Sequence, residues 1–392
     1  MTALYAAEMP LFDPGEHEPL TESRWDERRV RVAIERIVAQ TVDAYEPGKF
    51  WPRSPLDDYG LPVERDRSLW IGAAGVLWAL DRLGAGIGEC GVYDAYQSRP
   101  DVPDSPGLMM GETGVLLVSW RLRPTREKEE RLHELVSGNA RNPEHELFNG
   151  APGTMLAALY LYEACGDAQW RELWRECADA VWEQFRPDPE LDCRIWIQYR
   201  RGRLIRSIGA GHGFASNVRS LLRGEALLRE EQAAELRRAA AETASALALR
   251  EDGLANWPTS ADPYWAEQFS TRVQWCHGAP GLVTSLSTLA RDDETDDLLC
   301  SAGELVWFAG PLRKGSGLCH GTAGNGSAFL ALHARTGKER WLDRARAFAI
   351  HALEQVERSQ PRYSLWTGDI GVALYLNACL DGKYGMPVLD VL

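Results

Sequence analysis

The chain has 392 residues, 45% of them hydrophobic, and no Pro/Ser-rich linker or composition break divides it. It can therefore bury one large core, read here as a main domain over residues 28–392 behind an N-terminal extension, residues 1–27. A formal net charge of −14 excludes nucleic acid and anionic membrane surfaces as partners, because their phosphates would repel it. No apolar run approaches the roughly 18 residues of a membrane span, and Met1 to Leu20 lacks a basic segment followed by an apolar one. The expectation is a cytoplasmic protein with reduced thiols and no membrane span.

In chain order, Glu27 to Tyr45 opens the helical pattern, with charges on one face and apolar residues on the other. Then come seven turns of the form Gly-x-x-Gly: Gly72 to Gly75, Gly111 to Gly114, Gly150 to Gly153, the degenerate Gly213 to Ser216, Gly278 to Gly281, Gly321 to Gly324 and Gly368 to Gly371. Their first glycines are 39, 39, 63, 65, 43 and 47 residues apart. After each turn the chain is apolar nearly all round, as in Val76 to Leu80, Thr154 to Tyr162 and Val372 to Leu376. Before each turn it is amphipathic, as in Ala168 to Phe185, Glu230 to Leu249 and Lys338 to Val356. Such a period marks stacked helix pairs, none of which buries its apolar face alone. The predicted fold is all-α: a closed α/α toroid, an inner barrel of seven helices within an outer seven.

Two intervals exceed the basic period, and both flank the fourth turn. Arg194 to Tyr199 and Arg203 to Ile208, around Gly202, read as a small β-hairpin insertion. Asp252 to Thr271, rich in Trp, Pro, Ser and Asp, reads as a loop. Insertions on one face of a repeat array frame a binding site.

Aligning the units on their glycines makes each repeat a control for the others. Two residues before the first glycine stand Trp70, Met109, Phe148, Gly211, Cys276, Cys319 and Trp366; one residue before it stand Ile71, Met110, Asn149, His212, His277, His320 and Thr367. Thiols and imidazoles gather in units four to six, so the architecture does not require them. Cys276 and Cys319 occupy equivalent places in adjacent units and would meet in a ring. With His320 they form a Cys/Cys/His set, which suits zinc and leaves a fourth position for water or substrate. Each ligand precedes a helix N-terminus, whose positive end favours thiolate. The six remaining cysteines, Cys90, Cys165, Cys177, Cys193, Cys300 and Cys379, read as core or surface residues.

Four segments carry a family resemblance: Trp275-Cys276-His277-Gly278-Ala279-Pro280-Gly281, Gly317 to Asn325 with Cys319-His320-Gly321, the turn Ala210-Gly211-His212-Gly213, and Ser364 to Gly371. In these the chain resembles the lanthionine synthetase C-like proteins, and within them the stand-alone type similar to the glutathione-binding animal members. The resemblance implies zinc on Cys276, Cys319 and His320, His212 as general acid/base, and Arg272 as the cation facing a developing oxyanion. It implies Glu146 in an acidic position from which it orients His212. Lys314 matches a lysine near glutathione, and His277 becomes a contact beside the metal or substrate. Arg358 and Arg362 are candidates for a second cation. The implied activity is zinc-dependent addition of a thiol, glutathione foremost, to dehydroalanine or dehydrobutyrine in a peptide or protein. A lanthionine-forming peptide cyclase and a non-catalytic zinc scaffold or thiol-binding protein are the alternatives. A carbohydrate-active α/α barrel would use paired carboxylates, against which the Cys/Cys/His set argues.

Overall fold

The computed structural model describes residues 9–57, 66–200, 202–262 and 271–392. Among them are fourteen α-helices. The outer helices are α1 (Glu27–Asp43), α3 (Val92–Ser98), α5 (Arg126–Asn139), α7 (Ala168–Glu183), α9 (Glu230–Leu247), α11 (Asp293–Ala309) and α13 (Glu339–Glu357). The inner ones are α2 (Ala73–Arg82), α4 (Glu112–Leu122), α6 (Ala151–Cys165), α8 (Phe214–Arg223), α10 (Ala279–Leu286), α12 (Thr322–Thr336) and α14 (Asp369–Asp381). This is the predicted α/α toroid.

The two layers start their helices differently. Outer helices α1, α5, α7 and α11 are capped by Asp26, Thr125, Asp167 and Asp292, whose side chains accept backbone N–H groups of the first turn, as suits ends reached by water. Every inner helix is instead capped by the first glycine of its turn, with no side-chain bond. The second glycine answers to crowding. A Cβ at Gly114, Gly153 or Gly324 would lie 1.8–1.9 Å from the carbonyl oxygen of Leu108, Leu147 or Leu318, six residues earlier. Each turn therefore folds back onto the first turn of its own helix, and only a residue without a side chain permits it.

The same glycines receive the neighbouring unit. Leu69 Cβ packs against Gly114, Leu108 Cβ against Gly153, Trp275 Cβ against Gly324, and Leu365 Cβ, from the last unit, against Gly75 of the first. A backbone ladder runs round the same level. Trp70 N–H donates to Met109 O, Met109 to Phe148, Gly211 to Cys276, Cys276 to Cys319, Cys319 to Trp366, and Trp366 back to Trp70, at 2.8–3.2 Å. The last bond closes the ring. Only between units three and four does the ladder open, and there Phe148 N–H turns to the Glu146 carboxylate at 3.0 Å.

The insertions differ from the sequence expectation. Among the described residues three two-stranded antiparallel hairpins form, not one: β1 (Arg186–Asp188) with β2 (Cys193–Ile195), β3 (Gln198–Arg200) with β4 (Arg203–Ile205), and β5 (Leu249–Glu251) with β6 (Leu254–Asn256). The expected pairing across Gly202 is present in shortened form, Gln198 opposite Ile205, while residues 194 and 195 pair backward with 186 and 187. Part of the expected loop is strand, because Asp252 (φ 49°) and Gly253 (φ 79°) make a tight left-handed turn. Residues 263–270 of that loop lie outside the described residues, as does Arg201.

Residues 16–18 run beside residues 310–313, with Glu18 N–H on Pro311 O and Arg313 N–H on Glu16 O. The stretch thus lies directly against the segment that leads to Lys314 and Cys319. At the far end of the inner barrel the C-terminal segment packs on the last turns of α8 and α6. Arg219 pairs with Asp390, and Tyr160 O–H donates to Val388 O.

Candidate metal centre

The ladder places the residues two before each first glycine side by side. Cys276 and Cys319 are thus backbone neighbours, Cys276 N–H to Cys319 O at 3.0 Å. His320 follows Cys319, and the two sulfurs and one imidazole nitrogen lie within 4.8 Å of one another. Gly211 holds the equivalent place in unit four because a Cβ there would press to 3.0 Å from Cys276 Cβ.

Gln274 Nε2 donates to Cys276 Sγ at 3.2 Å, and the Trp70 side chain lies beside Cys319. The Cys319 sulfur beside it, with His277 and His320, holds the Cys276 thiol well below the ordinary cysteine range, although burial opposes this. Cys319 is pushed well above that range by sharing the proton and by burial, with the Lys314 ammonium acting the other way. Two buried sulfurs beside an imidazole, one of them accepting the Gln274 N–H, are a place for positive charge. A tetrahedral zinc with bonds of about 2.3 Å to sulfur sets its ligand atoms about 3.8 Å apart, which the 4.8 Å cluster accommodates. The donor set fits zinc, and among the described residues no other His/Cys/Asp/Glu group is so arranged.

The break in the ladder carries the second feature. Glu146 is fully buried and accepts Phe148 N–H at 3.0 Å, Asn149 N–H at 2.6 Å and His212 Nδ1 at 2.7 Å. With the carboxylate as acceptor, Nδ1 carries the proton and Nε2 is left as the free lone pair. The His212 ring also lies 4.4 Å from Phe148 and 6.3 Å from His277, centroid to centroid. The carboxylate thus occupies the gap in the backbone ring and aims one imidazole.

Arg272 is half-buried on the segment entering the Cys276 turn, and its carbonyl accepts Asn256 Nδ2 at 3.1 Å. Lys314 is exposed, five residues before Cys319. Arg362 is bound to the buried Asp57 through two guanidinium nitrogens, and Arg358 pairs with Glu18. Both candidates for a second cation are therefore held by carboxylates. Gln274 and Trp70 were not singled out from sequence. Their signal was present only in register: Trp70 occupies the ligand position of unit one, which adjoins unit seven only once the ring closes.

The profile of the lanthionine synthetase C-like proteins matches residues 203–389, units four to seven with both cysteine turns. Over that stretch, just under half of the chain, the protein is similar to that family. Among curated LanC-like relatives, the Danio rerio protein named glutathione S-transferase LANCL1 is 37% identical over 113 residues, 26% of this chain and 27% of that protein. The Arabidopsis thaliana LanC-like protein GCL1 is 36% identical over 127 residues, 29% of each. The chain thus matches a little over a quarter of the length of these relatives. The structure of nisin cyclase superposes over 90% of this chain and 94% of its own, with a TM-score of 0.63 at 14% identity, a likeness of fold. Among the described residues, no helix is long and apolar enough to cross a membrane.

Proposed function

We propose that this LanC-like chain is a zinc-dependent enzyme that adds a thiol, glutathione foremost, across the double bond of dehydroalanine or dehydrobutyrine residues to form a thioether. The observation that carries this reading is the meeting of Cys276, Cys319 and His320 within 4.8 Å beside a histidine aimed by a buried carboxylate. Three protein ligands leave one position for an incoming thiol, and the zinc would supply a lowered thiol pKa there.

The remaining steps belong to the chain. As the S–Cβ bond forms, the Cα=Cβ electron pair moves toward the carbonyl and negative charge develops on its oxygen. Arg272 is assigned to that charge. His212 Nε2, held by Glu146 through Nδ1, takes the thiol proton and returns one to Cα, so the sum is R–S–H across C=C. Lys314 is assigned to a glutathione carboxylate, a charge-assisted contact in an otherwise acidic protein. His277, beside Cys276 and facing His212, is assigned to the bound thiol or peptide. Its relatives' names, nisin cyclase and glutathione S-transferase, are consistent with such chemistry. Reduced ligand thiols fit a cytoplasmic setting, and none of the eight cysteines forms a disulfide.

The test is mass spectrometry of products after incubating zinc-loaded protein with a dehydroalanine peptide, with or without an internal cysteine, and with glutathione. A glutathione adduct is expected, absent with Cys319→Ala, which should lose the metal while keeping its helical content. Ring closure on the internal cysteine with no adduct would make the chain a cyclase. No product of either kind with zinc bound would leave it a scaffold.

A further inference from the structure

Four residues after the first glycine, in the first turn of each inner helix, the seven units carry Val76, Val115, Thr154, Asn217, Leu282, Asn325 and Val372. Aliphatic residues or a threonine serve in five of them, so the barrel needs no amide at this place. Units four and six depart from the pattern. Asn217 in α8 and Asn325 in α12 are both fully buried, where asparagine is a poor helix former and an amide is costly unless hydrogen-bonded.

The bonds that the two amides make are equivalent. Asn217 Nδ2 donates to His145 O at 2.7 Å, and Asn325 Nδ2 to Val273 O at 2.8 Å. His145 and Val273 each stand five residues before the first glycine of the preceding unit. The same contact therefore ties unit four back to unit three and unit six back to unit five. Both Oδ1 atoms are buried with no hydrogen-bond partner among the described residues, a cost that the aliphatic residues at this register avoid. What the two carbonyls share is what lies beside them. Glu146, which holds His212, follows His145; Gln274, which donates to Cys276 Sγ, follows Val273. His145 also sits at φ 43°, in the left-handed region that residues other than glycine rarely adopt, and its carbonyl takes a second N–H from Gln198 Nε2 at 3.2 Å. Two buried amides thus hold an unfavourable backbone conformation at the point from which Glu146 departs.

We infer that Asn217 and Asn325 are positioning residues, each acting through the backbone of the preceding unit rather than on the reacting atoms. Asn217 fixes the His145 carbonyl and so the direction of Glu146 toward His212. Asn325 fixes the Val273 carbonyl and so the reach of Gln274 to the Cys276 sulfur. The inference rests on the proposed thiol addition for its purpose, but the geometry it concerns is present without any reaction.

The experiment replaces each asparagine in the full-length, zinc-loaded protein with leucine, the residue that unit five carries at this register, so that the inner helices keep an apolar side chain of similar size. Val115→Ala, at the same register in unit two, controls for a general loss of packing. Two readouts need no catalysis. With isotope-labelled histidine, the His212 Nδ1 proton gives a downfield, exchange-protected resonance, assigned by its absence in His212→Asn; zinc retention is read by competition with a chelator. Asn217→Leu should shift that resonance or lose it to exchange, retain zinc as wild type does, and lower kcat for glutathione addition by about tenfold with KM little changed. Asn325→Leu should leave the resonance in place and weaken zinc retention by about tenfold, the lower end for partners that support metal ligands. Resonance and zinc retention unmoved in both leucine variants overturn the inference even if thiol addition proceeds. Both readouts moved together in both variants, or equally by Val115→Ala, reduce the asparagines to packing and overturn it as well. The separate losses, with no thiol addition by wild type, support the positioning and remove the proposed chemistry.

Discussion

The roles proposed for His212 and Lys314 rest on different surroundings. His212 is one residue before its glycine, as His320 is, yet it stands across the open rung of the ladder from Phe148 and is bonded to Glu146 at 2.7 Å. Replacing it with asparagine should leave bound zinc at one per chain by metal analysis and slow thiol addition by about 10²-fold or more. Unchanged turnover would take the imidazole out of the reaction. Lys314 is exposed and acts on Cys319 through charge alone. Lys314→Ala should raise KM for glutathione, by the equivalent of about 1.5–3 kcal/mol for a charge-assisted contact, and leave addition of β-mercaptoethanol nearly intact. Equal losses with both thiols would mean that the lysine only supports its loop. With Arg358 and Arg362 already held by Glu18 and Asp57, the proposed carboxylate contact falls to Lys314.

The elements are governed by their first turns, where crowding and charge compete. Asp369 opens α14, where the helix dipole favours a carboxylate. Burial nevertheless pushes its pKa up to about 6 against the pull of the Arg362 backbone N–H and guanidinium, and that guanidinium is bonded to Asp57. Because the folded pKa lies above the unfolded one, the folded state holds the proton more tightly, and stability falls as pH rises from about 4 to about 6. Asp369→Asn removes this dependence. Its melting temperature relative to wild type should rise across that window and then level off, a gain of at most about 3 kcal/mol. A constant difference across pH would mean the carboxyl is not titrating there. Sterics decide the second glycine. Gly324→Ala would set a Cβ 1.8 Å from Leu318 O, in the turn that bears Cys319 and His320, and should cost several kcal/mol and weaken metal retention. Gly138→Ala, in outer helix α5 with open space around it, should instead gain about 0.5–1 kcal/mol. The contrast, read from urea unfolding of the two variants, separates close approach from helix propensity.

At the scale of the molecule, closure replaces end caps. An open array needs terminal repeats with a polar outer face. Here Trp366 N–H meets Trp70 O and Leu365 fills the space over Gly75, so each unit has two neighbours. The C-terminal segment then covers the end of the barrel opposite the glycine turns. Arg219, 9% exposed, depends on it for Asp390, and Met386 N–H bonds to the same carboxylate at 2.8 Å. Asp390→Ala would strand a buried guanidinium, whose Thr288 contact is neutral, and should cost about 3–5 kcal/mol in urea unfolding with the single transition preserved. A loss within ~0.5 kcal/mol, the scale of a surface change, would show that Arg219 reaches water when freed.

The repeat, its seven turns, the inner and outer helices and the trio Cys276, Cys319 and His320 were all legible in the sequence. The reason is local: glycines spaced by the close approach of a turn to its own helix, and a period of 3.6 on either side. What was not legible depends on which units touch. Trp70 lies beside Cys319 only because the seventh unit meets the first. The pairing of Glu146 with His212 was expected from the family resemblance alone, since no spacing between residues 146 and 212 encodes the open rung that lets them meet. The β5–β6 hairpin was hidden for another reason, since its three-residue strands are too short to show alternation and its turn is marked by little beyond Asp252-Gly253. Nor could pattern alone show that Arg358 and Arg362 are already occupied, since their partners Glu18 and Asp57 lie more than 300 residues away in the chain. Local stereochemistry writes the repeat into the sequence, whereas ring closure, which no single unit contains, decides which side chains meet at its centre.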